Sequence, residues 1–143
     1  LYPVQKFDSD AERAFAVLLE REPEELQLKW FKPARGQFKI FYCGDDTYEP
    51  DFVVETRTHK YLCEPKRADQ ITSAEVRAKA QAAVQWCRHA SEHELAHGGK
   101  PWSYLLIPHD AIDVSATLKS LAARYTYTMA ESDAVGALAS GSR

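Results

Sequence analysis

The sequence predicts an α/β domain whose mixed β-sheet is flanked by helices, in the order α-β-β-β-β-α-β-α. Three observations carry that expectation. Two stretches, near residues 9–22 and 72–95, space their apolar residues with the period of a helix, while residues 26–66 between them alternate with the period of strands. A further apolar run, Trp102 to Ile107, follows the second helix. A strand reached only after a helix enters the sheet most readily as a parallel crossover.

The first helix opens at Asp8-Ser9-Asp10-Ala11-Glu12, where Ser9 as N-cap and Glu12 three residues on form a capping box. Ala11, Ala14, Phe15, Leu18 and Leu19 then mark one face, and Pro23 ends the helix. Leu26, Leu28 and Trp30 alternate with Gln27, Lys29 and Phe31, and Phe38, Ile40 and Tyr42 repeat that period across a Pro33-Ala-Arg-Gly36 turn, so these two strands are expected to pair as a meander. Strands over residues 48–55 and 60–66 follow, joined by the polar turn Thr56-Arg57-Thr58-His59. Thr72-Ser-Ala-Glu75 reads as a second capping box, and Val76, Ala80, Ala83, Val84 and Cys87 as the buried face of a long helix reaching about residue 95. After the 102–107 strand, Asp113 or Ser115 is expected to start a last helix carrying Val114, Leu118, Leu121, Ala122 and Tyr125. The domain is expected to occupy residues 1–128, and the small and polar residues 129–143 to form a flexible tail.

Composition narrows the function classes. A chain of 143 residues that is 45% apolar is long enough for one domain with a sizeable core and is neither fibrous nor disordered in character. It holds no run of 18 or more apolar residues and no secretory leader, so no membrane association is expected, and a start at Leu1 fits a domain cut from a longer protein. Cys43, Cys63 and Cys87 are odd in number and widely spaced, which argues against a disulfide framework or a cysteine zinc site and for a reducing, cytoplasmic setting. No G-x-x-x-x-G-K-[ST] loop is present, so nucleotide hydrolysis is excluded.

The 48–66 hairpin carries the chemistry. Side chains two apart on a strand share a face, so Glu64 and Lys66 project together and Pro65 faces away. With the turn centred near 57–58, Asp51 lies across from Glu64. Two carboxylates brought that close raise each other's pKa, and a cation between them relieves the repulsion. Oxygen-only ligation completed by water suits Mg²⁺, with Mn²⁺ as its substitute. An adjacent ammonium, Lys66, suits the charge that builds on a phosphoryl group under attack by water. The competing reading of such charges is a solvated strand end with ordinary ion pairs.

Pro50-Asp51 followed by Glu64-Pro65-Lys66 resembles the paired half-motifs of the PD-(D/E)xK nuclease superfamily. The longer run from Lys79 through Trp86 and Gly98-Gly-Lys-Pro-Trp102 to Pro108 and Ile112 resembles the C-terminal endonuclease region of type III restriction enzyme Res subunits and related helicase-linked nucleases, over about residues 8–125. The resemblance implies a restriction-endonuclease-like fold and a metal-dependent endodeoxyribonuclease that hydrolyses DNA. It implies Asp51, Glu64, the Pro65 carbonyl and Glu12 of the first helix as metal ligands, Lys66 as the residue that positions hydroxide, and Lys79 and Gln81 as further catalytic side chains. It also implies a prokaryotic assembly with a helicase or ATPase motor and with methylation or recognition subunits. Pro65 departs from the β-branched or small apolar residue usual in the motif, and a strand end or an unpaired N–H is expected there.

Rival readings accompany several of these. Glu12 is also placed to close its own capping box, and Lys79, beside Ala80, to lie on a solvated face. His89, His93 and His97 recur at the spacing of a shared transition metal, yet no carboxylate base accompanies them and a helix C-terminus itself favours imidazolium. A net charge of −3 sits poorly with strong autonomous DNA binding, although Lys29, Lys32, Arg35 and Lys39 and then Lys60, Lys66, Arg67, Arg77 and Lys79 cluster locally. The alternatives are therefore a transposon-end nuclease of similar strand order, or a nuclease fold that has lost its chemistry and serves as a binding or docking module.

Overall fold

The computed structural model describes residues 10–43 and 46–128. Its elements in chain order are α1 (Asp10–Glu20), β1 (Lys29–Phe31), β2 (Ile40–Cys43), β3 (Asp46–Tyr48), β4 (Phe52–Glu55), β5 (Lys60–Lys66), α2 (Ala74–Ala96), β6 (Trp102–Pro108) and α3 (Leu118–Tyr125). A mixed sheet runs in the order β1-β4-β5-β6, with β2 and β3 paired separately. β1, β4 and β5 are antiparallel neighbours, and β6 joins β5 in parallel from Lys60↔Trp102 to Lys66↔Pro108. The expected crossover is thus present, and helices lie on both faces of the sheet.

Strand alternation divides the core in two. Phe52, Val54, Cys63, Leu105 and Ile107 turn to one face and pack against Phe15, Leu18 and Leu19 of α1 and Leu118 and Leu121 of α3. Val53, Leu62, Tyr104 and Leu106 turn to the other, against Ile40 and Tyr48 and the α2 stripe Val76, Ala80, Ala83, Val84 and Cys87. All five expected stripe residues of α2 are buried. Phe52 is fully buried and meets Phe15 edge to face with ring centroids 5.0 Å apart. Phe52→Ala should therefore cost about 3–5 kcal/mol, the range for deleting a core aromatic ring. Urea unfolding followed by circular dichroism checks this, and a midpoint unchanged from wild type would refute the packing described.

Several local expectations are corrected. The 26–30 and 38–42 segments do not pair as a meander: β1 pairs with β4 through Trp30↔Val54, and β2 pairs with β3. Residues Glu24–Leu26 form a 3-10 turn capped by Gln27 in the left-handed region (φ 51°), so strand conformation starts only at Lys29. Aromatic contacts hold the β2–β3 hairpin elsewhere, with Phe38 4.9 Å from Trp86 on α2 and Tyr48 edge-on to Tyr104 of β6. The resulting order has five strands rather than four before α2.

Helix starts also shift. Ser73, not Thr72, caps α2 by accepting from Val76 N, which leaves Glu75 outside a capping box and paired with Lys79 at 3.3 Å. α3 begins at Leu118 behind a Thr117–Ser120 capping box. The Asp113 carboxylate instead takes the N–H and hydroxyl of Ser115, and Val114 is 90% exposed rather than part of the helix. The β5 strand does not end at Pro65 but runs through Lys66 against β6. β4 has already finished its pairing at Phe52↔Cys63, so the missing proline N–H has no β4 partner to lose. Ser9 and the expected tail lie outside the described residues.

Candidate active site

The β4–β5 register sets the geometry. Glu55↔Lys60, Val54↔Tyr61, Val53↔Leu62 and Phe52↔Cys63 share one centre in the 56–59 turn, so Asp51, one residue past the last pair, falls opposite Glu64. The turn is closed by Thr56 N donating to the His59 carbonyl at 2.8 Å and by His59 N donating back to Thr56 Oγ1 at 3.1 Å. Register alone sets this placement, since a slip of one residue would send Asp51 to the opposite face.

A cavity of about 510 Å³ opens at this end of the sheet, lined by Glu12, Asp51, Glu64, Pro65 and Lys66. Five expected site residues thus surround one space. Lys79 and Gln81 do not line it. Lys79 instead pairs with Glu75 and lies 5.9 Å from the Tyr48 ring and 5.8 Å from the Tyr42 ring. Among the triplet of histidines, the His93 and His97 rings lie tilted to each other with centroids 4.5 Å apart, and His97 Nδ1 donates to the His93 carbonyl, a helix-end arrangement.

Each carboxyl has a distinct environment. Glu64 is 7% exposed; its Oε1 accepts from the Tyr48 hydroxyl at 2.7 Å, while Oε2 stands 3.4 Å from Lys66 Nζ. Burial pushes its pKa up, and the Tyr48 hydrogen bond and Lys66 pull against that. Glu12 is 6% exposed and holds Lys32 Nζ at 2.6 Å. Asp51 is half-buried, and among the described residues no hydrogen bond or ion pair satisfies its carboxyl. Burial first, then the charges of Glu64 and Glu12, push it up to about 9, although Lys32 and Lys66 oppose the rise.

Three carboxyls therefore face two ammonium groups across a small space. All the donors are hard oxygens, the set that suits Mg²⁺ or Mn²⁺, and the unsatisfied Asp51 carboxyl marks where further positive charge is wanted. Among the described residues no three His, Cys, Asp or Glu side chains converge into a preformed metal cluster, and the Glu12 and Glu64 carboxylates are drawn towards their lysines. The residues fit a hard dication that competes with those ammonium groups for the same oxygens.

Sequence reasoning missed three participants. Lys32 was legible only as part of a basic cluster, since β1 was assigned the wrong partner. Tyr48 stood in the motif-bearing stretch without a role, and Tyr104, one hydroxyl farther at 3.1 Å from Tyr48, read as a buried strand residue. At the rim, His109 Nδ1 accepts from Ala68 N at 3.1 Å, which leaves Nε2 to carry the ring proton. No helix among the described residues is long and apolar enough to cross a membrane. Cys63 and Cys87 are free and buried. Compared with protein-family models, curated proteins and solved structures, the chain shows no significant match.

Proposed function

We propose that this chain is a Mg²⁺-dependent endonuclease domain that hydrolyses DNA phosphodiester bonds, the nuclease module of a larger, intracellular restriction or helicase-linked protein. The observation that supports it most is the unsatisfied Asp51 carboxyl, held opposite Glu64 by strand register and beside Lys66 in one cavity with Glu12. Asp51, Glu64 and the Pro65 carbonyl would hold the ion, with Glu12 as a further acid. A bound dication polarises the phosphoryl oxygen and lowers the pKa of water.

The chain's own groups supply the rest. Lys66 Nζ sits by Glu64 Oε2, where an ammonium can hold an attacking water by its lone pair and stabilise the pentavalent phosphoryl charge. Arg67 and His109 border the same cavity, and an imidazole Nε2–H there offers a donor to a phosphate oxygen. Lys32 approaches from β1's end and limits repulsion between the carboxyls and the DNA backbone.

The rival reading, a nuclease-like docking module, draws on the net charge of −3 and on the two internal ion pairs, Lys32–Glu12 and Lys66–Glu64. Incubation of supercoiled plasmid with Mg²⁺ or Mn²⁺ separates the two. Nicking by the wild type, reduced at least about 100-fold in both Asp51→Ala and Lys66→Ala, is the result expected of a site that acts as a unit. Nicking retained in either variant would identify a contaminant, and no Mn²⁺ uptake by wild type in calorimetry would favour the docking module.

A further inference from the structure

We infer that Tyr48, backed by Tyr104, is a positioning residue that fixes the Glu64 carboxylate so that one oxygen is held in the protein and the other is presented to the cavity. The inference rests on the nuclease reading of the site and adds to it a device built from two elements outside the motif. Tyr48 ends β3, Tyr104 lies in β6, and Glu64 lies in β5, the neighbour of β6 in the sheet, so that Tyr48 links the other two.

The hydrogen bonds dictate the orientation. The Tyr48 hydroxyl donates to Glu64 Oε1 at 2.7 Å, so its own oxygen is free to accept, and the Tyr104 hydroxyl lies 3.1 Å away to donate to it. Both rings are buried, 5% and 2% exposed, so water does not compete for these bonds. With Oε1 engaged, Oε2 is left beside Lys66 Nζ at 3.4 Å, and Glu64 and Lys66 both line the cavity. Glu64 can then serve a cation through a single oxygen with its rotamer already chosen, as partners behind metal ligands elsewhere fix ligand orientation.

The same arrangement gives Lys79 a place. Its ammonium lies 5.9 Å from the Tyr48 ring and 5.8 Å from the Tyr42 ring, so it steadies the hairpin that carries Tyr48 and does not reach the cavity. The small β2–β3 sheet is thereby coupled to the site through one hydroxyl.

Tyr48→Phe keeps the ring and removes the hydroxyl. Calorimetric titration of Mn²⁺ should show affinity lowered about 10- to 100-fold, the range for losing a partner behind a metal ligand. Plasmid nicking should lose kcat with KM for DNA unchanged, since nothing on the DNA-facing rim is altered. A variant that melts earlier but keeps wild-type Mn²⁺ affinity and kcat would overturn the inference, because the hydroxyl would then be structural alone. Wild type that takes up no Mn²⁺ would overturn the nuclease reading and this one together, whereas equal uptake by wild type and Tyr48→Phe overturns this one only. If circular dichroism shows Tyr48→Phe unfolded, Tyr104→Phe replaces it. That variant removes only the second donor, so a loss of a few-fold in Mn²⁺ affinity supports the relay and an unchanged affinity overturns it.

Discussion

Asp51→Asn is expected to stabilise the metal-free protein while abolishing uptake of divalent metal. In the fold the Asp51 carboxyl is pushed from its usual 3.8 up to about 9, by burial and by Glu64 and Glu12. The native state therefore binds this proton more tightly than the unfolded chain does. The sign follows from linkage: the stabilising effect of the neutral acid is complete below about pH 4 and is lost progressively as pH rises towards about 9. Asparagine keeps the shape and the neutrality at every pH, so its advantage is absent near about pH 4 and grows with pH. Near neutrality, roughly three pH units of the shift have been traversed, a ceiling of about 4 kcal/mol at 1.36 kcal/mol per unit. Relaxation and water access around a half-buried group bring the expected gain to on the order of 2 kcal/mol. In EDTA-treated samples at about pH 8 this should appear as a melting temperature several degrees above wild type, with the difference closing near about pH 4. The same variant should show no Mn²⁺ binding and no nicking. Equal melting temperatures at about pH 8, or retained Mn²⁺ uptake, would mean that Asp51 is not held against its neighbours in the way described.

Such a gain from removing an ionisable group that must take up a proton on folding is the usual mark of a group kept for chemistry at the expense of stability. It also separates the preferred function from the docking module, in which nothing would keep an unsatisfied carboxyl among two others.

What the sequence made legible depended on how local the determinant was. The β4–β5 hairpin could be read because its turn lies between its two strands, so a turn centred near 57–58 alone places Asp51 across from Glu64. The α2 stripe could be read because all its members lie on one helix face. The partner of β1 could not, because alternation reveals which face a strand buries and not which neighbour it pairs with. The left-handed Gln27 and the aromatic seat of Phe38 against Trp86, both invisible to period counting, moved β1 to β4 and β2 to β3. That rearrangement brought Lys32 to Glu12, and Tyr48 to Glu64. The convergence of Asp51, Glu64 and Lys66 was therefore legible, and the side chains that contact them were not, since those come from positions distant in sequence: Lys32 is 20 positions from Glu12 and Tyr104 is 56 from Tyr48.

Metal uptake should release protons, and its apparent affinity should rise steeply with pH. A carboxyl must be deprotonated to bind a metal ion, so ligand protonation competes directly with ligation. Asp51 keeps its proton up to about pH 9, and the Glu64 carboxyl is also raised by burial. At neutral pH an incoming dication must therefore displace at least the Asp51 proton. The apparent dissociation constant should fall about tenfold for each pH unit between about pH 5.5 and about pH 8.5, and level off above about pH 9. The Tyr48 and Tyr104 hydroxyls do not contribute, since burial and the Glu64 charge hold both well above their ordinary value and they keep their protons throughout. Calorimetric titrations of Mn²⁺ at one pH in buffers of different ionisation enthalpy count the protons directly, and about one per ion is expected near neutrality. Strengthening of the pair Lys66–Glu64 by salt removal would oppose uptake, because the ammonium competes for Glu64 Oε2. Affinity flat across this pH range, or heats independent of buffer, would mean that the ion binds without Asp51, and the carboxyl opposite Glu64 would then need another reason for its place.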